Sequence, residues 1–160
     1  MVKAIHAPLP AGVIAPVLTR AAGVAEIAAR LPRATATVAV RITSDRELRR
    51  LNREFANEDH VTDVLSFAGE GDHLGDIAIS WPAVLRQAAE FGHPETTELA
   101  VLCVHGLLHL LGWDHVTLEQ QEEVSRLTLA ALRRSRVAPG IKRVWSGYTR
   151  TKGLRHSPRA

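Results

Sequence analysis

The sequence predicts an α+β fold in a single domain, in which a small mixed sheet of three to four strands packs against about five helices. Two observations predict it: apolar residues recur at helical spacing in some segments, and shorter segments alternate apolar with polar residues. A chain of 160 residues is long enough to bury one core. The stretch 99–111 is apolar on nearly every side, so we expect it to be the central helix.

The first half of the chain alternates predicted helices and strands. The predicted elements are a possible fourth strand at 2–5, a helix over 11–31, a strand over 35–42 and a helix over 45–55. Ser44 is the expected N-cap of that last helix. Glu47, three residues on, completes a capping-box pattern.

The second half predicts a hairpin followed by three helices. A strand over 62–67, a turn over 69–75 and a partner strand over 76–80 form the hairpin; helices then cover 82–89, the histidine-bearing segment and 118–136. Pro82 suits a helix first turn, and the cationic end of the last helix suits its dipole.

Composition favours a cytoplasmic protein that is not embedded in a membrane. The apolar fraction is 46%, and the longest strongly apolar stretch is too short to span a bilayer. The single cysteine, Cys103, excludes an internal disulfide and suits a reducing compartment. On a helix it faces away from His105, so we interpret it as a small buried hydrophobe.

Positive charge is concentrated at the C-terminal end. Residues 124–160 contain ten Lys or Arg and no acid, whereas all seventeen acids lie before them. Such a segment suits a polyanion such as RNA, although it could equally aid solubility. Residues 146–160 are rich in Gly, Ser, Thr and basic residues, so we predict a domain over 1–145 and a basic, disordered tail over 146–160.

Residues 105–115 carry the strongest functional signal, three histidines spaced H-x3-H-x5-H. His105 and His109 lie on one face of a helix, about 6 Å apart along its axis. Gly112 can take a positive φ, which would end the helix and bring His115 toward the same point. Three imidazoles suit one Zn²⁺ ion with a fourth position left open, as in catalytic rather than structural zinc sites.

The residue after the first histidine limits the chemistry. Metalloproteases with an H-E-x-x-H motif use a glutamate there as general base, and this chain has Gly106. The peptidase interpretation therefore lacks its base, while the ligand spacing remains.

The flanking motifs resemble those of the YbeY family of bacterial endoribonucleases and ribosomal RNA maturation factors. The histidine segment 105–115 matches the family's H-G-x-L-H-L-x-G-x-D-H motif. Leu51-Asn52, then 62–67, then Leu74-Gly75-Asp76-Ile77 are similar to its other motifs, in the same order. The resemblance covers residues 36–134.

The resemblance implies a metal-dependent endoribonuclease domain with zinc on His105, His109 and His115. It further implies cleavage of single-stranded RNA in 16S ribosomal RNA maturation near the 3′ end and in ribosome quality control. The partners would be ribosomal RNA and the small ribosomal subunit.

One departure from the family pattern concerns phosphate binding. Where the family usually carries aromatic-Arg-x-Lys, this chain has Phe55-Ala56-Asn57-Glu58, so a cation that would contact phosphate is absent. We take Arg53, Lys142 and Arg143 as the candidate RNA-binding residues.

Two carboxylates are candidates for a catalytic role, Asp63 and Asp76. Each could orient a ligand histidine or accept a proton, or could simply brace a strand end. Two other functions stay open: a non-catalytic ribosome-assembly factor with a structural zinc, and a metal-dependent hydrolase of another substrate class. Asp114 is expected to fix its turn through backbone bonds.

Overall fold

The structure is a computed structural model that describes residues 2–5, 11–33, 35–56, 62–137 and 156–157. Within these ranges the order of elements is β1 (Val2–Ile5), α1 (Ala11–Ala21), α2 (Ala25–Ala28), β2 (Thr37–Thr43), α3 (Asp45–Ala56), β3 (Val64–Ala68), β4 (His73–Ser80), α4 (Trp81–Phe91), α5 (Glu95–Leu110), α6 (Leu118–Arg134) and β5 (His156–Ser157). The predicted α+β class is confirmed.

The sheet is mixed, with the strand order β1-β2-β4-β3-β5. β1 pairs parallel with β2, and β2 pairs parallel with β4. β3 and β4 form the predicted antiparallel hairpin, and the two residues of β5 pair parallel with β3. A strand of two residues has no apolar alternation, so sequence periodicity could not predict β5.

α5 is the central helix, as predicted. Every residue from Thr97 to Leu108 is buried, because α1, α4 and α6 pack around it and the sheet lies beneath it. Inward-facing residues of β2, β3 and β4 join this core; among them are Val40, Val64, Ile77 and Ile79. α3 packs on the other sheet face, where Leu48, Leu51, Leu65 and Ala78 form a second, smaller cluster.

The single helix predicted over 11–31 is wrong. It is two helices, α1 and the short α2, separated at Gly23 and at Val24, whose backbone is extended. Arg134 of α6 packs against this break: its Nε donates to the Arg20 carbonyl at 3.0 Å, and its guanidinium lies 2.6 Å from where a Gly23 Cβ would be. A contact from α6 thus accompanies the break, which the helical periodicity of the segment does not indicate.

The predicted turn over 69–75 is too long. β4 begins at His73, because the backbone N–H of Thr37 bonds the Asp72 carbonyl and β2 pairs with β4 from Thr37 onward. Gly75 is a strand residue with φ +152°, and a Cβ there would meet the Phe67 carbonyl oxygen. The glycine thus permits a close approach of two strands, not a turn.

The predicted N-cap of α3 and the first-turn proline of α4 are confirmed. The Ser44 hydroxyl accepts the Glu47 N–H at the start of α3. In the first turn of α4, Pro82 follows the N-cap Ser80. Of the tail predicted over 146–160, only the backbone of His156 and Ser157 is described, so its disorder stays a prediction.

Candidate metal centre

His105 and His109 lie one turn apart on the last two turns of α5, as predicted. His105 is 3% exposed, within the stretch of α5 that the sheet and neighbouring helices cover. His109 is half-buried, yet both of its ring nitrogens are shielded from solvent. The helix thus holds two imidazoles away from bulk water.

Gly112 ends α5 in the predicted way, with φ +96°. The Trp113 N–H bonds the Leu108 carbonyl at 3.0 Å, and the Gly112 N–H bonds the His109 carbonyl at 3.1 Å. This pair of bonds is the Schellman pattern, which turns the chain sharply at the glycine. The turn leads directly to His115.

Side chains hold both backbone polar groups of His115. The Asp114 Oδ1 accepts its N–H at 2.8 Å, which confirms the role predicted for Asp114. The Gln121 amide of α6 donates to its carbonyl at 3.1 Å. The imidazole Nε2 of His115 is shielded from solvent, so all three predicted ligands are at least half-buried in one region.

The chemistry of these donors fits a zinc ion. Zn²⁺ prefers neutral imidazole nitrogens, and a shared cation is one way to stabilise several buried imidazoles. Within residues 11–33, 35–56 and 62–137, however, no three His, Cys, Asp or Glu residues stand in an arrangement that could hold a metal ion as it is. The ligand set therefore stays a prediction.

Gly106 is required by close packing between α5 and the sheet. A Cβ atom there would lie 2.8 Å from two side-chain carbons of Ile77. The Ser66 hydroxyl also donates to the Gly106 carbonyl at 3.2 Å. A glutamate at this position would meet β4, so the protease-type general base is excluded by packing.

Asp63 is a buried carboxylate at the start of β3, 4% exposed. Its Oδ2 accepts the Gln87 amide of α4 at 3.0 Å, and its backbone carbonyl accepts the Ser80 N–H at 2.9 Å. These bonds tie the ends of β3 and β4 to α4. A role for Asp63 in the reaction stays a prediction.

Asp76 lies on the sheet face that packs against α3, opposite the face that packs against α5. Its carboxylate is 2.9 Å from His73 Nε2, and His73 Nδ1 is 2.9 Å from the Thr37 hydroxyl. Asp76 also lines a cleft of about 370 Å³ between α3 and the sheet, with Arg41, Phe55 and Phe67. The sheet therefore lies between Asp76 and the helix that carries His105 and His109.

The predicted RNA-binding residues are only partly described. Arg53 is exposed in the last turn of α3, on the same helix face as Arg46 and Arg49. Lys142 and Arg143 lie outside the described residues, as do Asn57 and Glu58 of the family departure. Of Ala56 only the helical backbone is described.

Sequence reasoning missed two side-chain arrangements around α5. Glu98 is fully buried and lies 2.9 Å from Nε2 of His93, itself 5% exposed. The Arg30 guanidinium lies over the Trp113 ring at 3.6 Å. His93 and Glu98 are only five residues apart, so their contact could have been suspected from the sequence. No sequence pattern links Arg30 to Trp113, 83 positions later.

The described residues include no helix that is both long and apolar enough to cross a membrane.

Burial raises the pKa of the Cys103 thiol to about 12, which confirms that this cysteine is a buried, inert side chain.

Comparison with known proteins agrees with the motifs. A Chloroflexus aggregans protein named endoribonuclease YbeY is 50% identical over 113 residues, 63% of this chain and 73% of the relative. One from Chloroflexus aurantiacus is 46% identical over 129 residues, 72% of this chain and 83% of the relative. The solution structure of a Thermotoga maritima protein matches with a TM-score of 0.59 at 24% identity, covering 85% of this chain and 92% of that one, and supports the fold.

The family model described as endoribonuclease YbeY matches residues 13–135, which include α5, its turn and most of the sheet. Because the match covers well over half of the chain, this protein belongs to the endoribonuclease YbeY family.

Proposed function

We propose that this protein is a zinc-dependent, single-strand-specific endoribonuclease that acts in the cytoplasm in 16S ribosomal RNA 3′-end maturation and ribosome quality control. The observation that carries the proposal is the family match over 13–135, which contains the buried His105 and the half-buried His109 and His115 of α5 and its turn. Its partners would be ribosomal RNA and the small ribosomal subunit.

His105, His109 and His115 would hold one zinc ion. A bound zinc supplies Lewis acidity, which polarises a phosphoryl group and makes water a better nucleophile. The chain's contribution is to shield the ring nitrogens of His109 and the Nε2 of His115 from bulk water. The buried side of α5 and the Gly112 turn support this role.

Arg53 would contact RNA phosphates together with Arg46 and Arg49. These three residues share the solvent-facing side of α3, because positions three and seven apart return to one helix face. On the neighbouring side of α3, Arg50 forms ion pairs with Glu47 and Glu54 and thereby balances part of the negative charge of these two glutamates. Lys142 and Arg143 would add further phosphate contacts. Arg46, Arg49 and Arg53 are our candidate substitutes for the family's arginine, whose place Ala56 takes in this chain.

Asp63 remains a candidate for proton transfer or for orienting a ligand histidine. For Asp76 the orienting role is wrong, because the sheet lies between it and α5, and proton transfer is the role left to test. Asp63 is buried and fixed by Gln87, which suits orientation. Asp76 is exposed and bonded to His73, which suits contact with solvent or substrate. Changing each to Asn keeps its shape and removes its charge, so cleavage rates of the two variants would assign the role.

The function is tested by incubating the protein with a single-stranded fragment from the 3′ region of 16S ribosomal RNA. We expect cleavage by zinc-loaded protein, and loss of cleavage after chelation or in a His109→Ala variant. The matched control is His6→Ala, since His6 lies outside the family match. Cleavage that survives both chelation and His109→Ala would contradict the metal-dependent mechanism.

The ends of the products distinguish two routes for the reaction. Attack by water at phosphorus leaves a 5′-phosphate, whereas attack by the substrate's own 2′-hydroxyl leaves a 2′,3′-cyclic phosphate. A duplex of the same sequence should resist cleavage if the enzyme is specific for single strands.

A non-catalytic assembly factor is the second candidate, and the replacement of the family's arginine by Ala56 favours it. In that case the zinc would stabilise the fold while the basic C-terminal end binds the ribosome. RNA binding without cleavage, whichever metal is supplied, would select this function.

A further inference from the structure

Arg30 reaches from the segment after α2 to the turn that carries His115. Its Nη1 donates to the carbonyl oxygen of Leu111 at 3.3 Å, and its Cζ lies 3.6 Å from the centroid of the Trp113 ring. Both contacts fall within the three residues at which α5 turns toward His115. One guanidinium thus touches the backbone of the turn and its largest side chain.

The Leu111 contact satisfies a carbonyl at the end of α5. The Schellman bonds use the carbonyls of Leu108 and His109, and Leu111 is the C-cap residue. A helix end carries partial negative charge on its last carbonyls, which a guanidinium stabilises well. Gly112 leaves room for this contact, because even a Cβ there would lie 3.7 Å from Arg30 Nη1.

Trp113 is held on its other side by α6. Its indole Nε1 donates to Glu123 at 3.0 Å while its ring face carries Arg30. The ring is 6% exposed, so it is fixed between the segment after α2 and the middle of α6. Two residues later, His115 is held by Asp114 and Gln121.

We propose that Arg30 is a positioning residue for His115. It holds the turn from the α2 side, as Glu123 and Gln121 hold it from the α6 side, and it thereby sets where the third imidazole lies relative to α5. The inference rests on the proposed function, in which His115 is a zinc ligand. A planar guanidinium can bond the carbonyl and stack on the ring together, which a lysine ammonium does less well.

The chain offers a matched control for this contact. Arg126 of α6 makes two bonds to Glu26 of α2, at 2.8 and 2.7 Å. That pair also joins the α2 segment to α6, but it does not touch the turn. Arg126→Gln therefore removes an arginine that links the same two segments and makes no hydrogen bond to the turn, its one influence there being the charge it presents to Glu123.

The test measures the dissociation constant of Zn²⁺ by competition with a chromogenic chelator, alongside the free energy of unfolding of the metal-free protein in urea. We expect Arg30→Gln to weaken Zn²⁺ binding by up to about 10-fold, the lower end of the cost of losing a group bonded to a ligand, because Arg30 acts on His115 only through the turn. Arg30→Lys should fall between Arg30→Gln and the unchanged protein. Arg126→Gln should lower the free energy of unfolding while leaving zinc affinity unchanged.

Two comparisons keep the outcomes apart. If His115→Ala binds zinc as tightly as the unchanged protein, the proposed ligand set fails and the positioning role fails with it. If His115→Ala loses affinity but both Arg30 variants retain it, the proposed function stands and the positioning role is wrong. Should Arg30→Gln not fold, the comparison of Arg30→Lys with Arg126→Gln decides the same question.

Discussion

The two faces of the sheet are built differently. On the α5 face, Val64, Ile77 and Ile79 are fully buried and belong to one large core with the helix. On the α3 face the cluster is small, and Phe55 beside it is 42% exposed. Ion pairs surround that second face, among them Asp45 with Arg86 and Glu47 with Arg50.

This difference separates the rigid support of the candidate metal centre from a surface open to solvent. His105 and His109 lie on the helix that packs against the dense face, so their backbone positions are determined by many buried contacts. The α3 face offers charged and aromatic side chains, which suit binding more than the precise placement of ligands. The substitutions below test whether side chains on the two faces also contribute differently to the free energy of unfolding.

The largest expected difference comes from truncating one leucine on each face. Leu102→Ala removes a fully buried side chain from α5 and should lower the free energy of unfolding by about 3 to 5 kcal/mol. Leu51→Ala, at a side chain 9% exposed in the smaller cluster, should cost about 2 kcal/mol, because its surroundings can relax and water can enter. Urea unfolding of the metal-free proteins measures both. Equal losses would mean that the α3 cluster is as tightly packed as the main core.

The helices and strands on both faces, α5 and α3 included, could be predicted from the sequence, whereas the contacts between them could not. Hydrophobic periodicity indicates burial, so it identified α5, the hairpin and the second strand. Gly75 and Gly23 lie where the prediction failed: Gly75 meets the Phe67 carbonyl oxygen across the hairpin, and Gly23 lies beside the Arg134 guanidinium of α6. Local patterns carry no information about such contacts.

A smaller effect is expected from adding a methyl group where α5 meets the sheet. Gly106→Ala places a Cβ 2.8 Å from Ile77, which must shift, and the free energy of unfolding should fall by about 1 to 3 kcal/mol. Gly12→Ala is the control: nothing lies within 4 Å of its added Cβ in α1. This control should be neutral or stabilise the protein by up to about 1 kcal/mol. A neutral Gly106→Ala would show that the helix and sheet can separate easily.

At the candidate site, too, the sequence predicted some parts of the structure and not others. The spacing of His105, His109 and His115, with Gly112 between them, predicted the helix, its end and the turn. The side chains that hold the turn come from Arg30, Gln121 and Glu123, and only the fold brings Arg30 there. Sequence spacing therefore identifies ligands that lie within one helix and its turn, and it fails for residues that reach the site from another segment.

The smallest expected effect concerns an ion pair beside the α3 face. The Arg86 guanidinium bonds Asp45 and lowers the pKa of its carboxyl below the ordinary 3.8, an effect that partial burial opposes and the Ser80 hydroxyl reinforces. The folded state therefore favours the ionised carboxylate. Its contribution to stability is present above pH 3.8 and is lost as the pH falls through the lowered pKa.

Asp45→Asn tests this linkage. Because the pair is partly exposed, the substitution should lower the free energy of unfolding by no more than about 1 kcal/mol at pH 7. The difference between the two proteins should shrink at an acidic pH below the lowered pKa, since protonation then neutralises Asp45 in the unchanged protein. Asparagine still presents an oxygen to the Ser80 hydroxyl, so the start of α4 keeps that bond. Urea unfolding at both pH values measures it, and a penalty independent of pH would mean that shape rather than charge stabilises this end of α3.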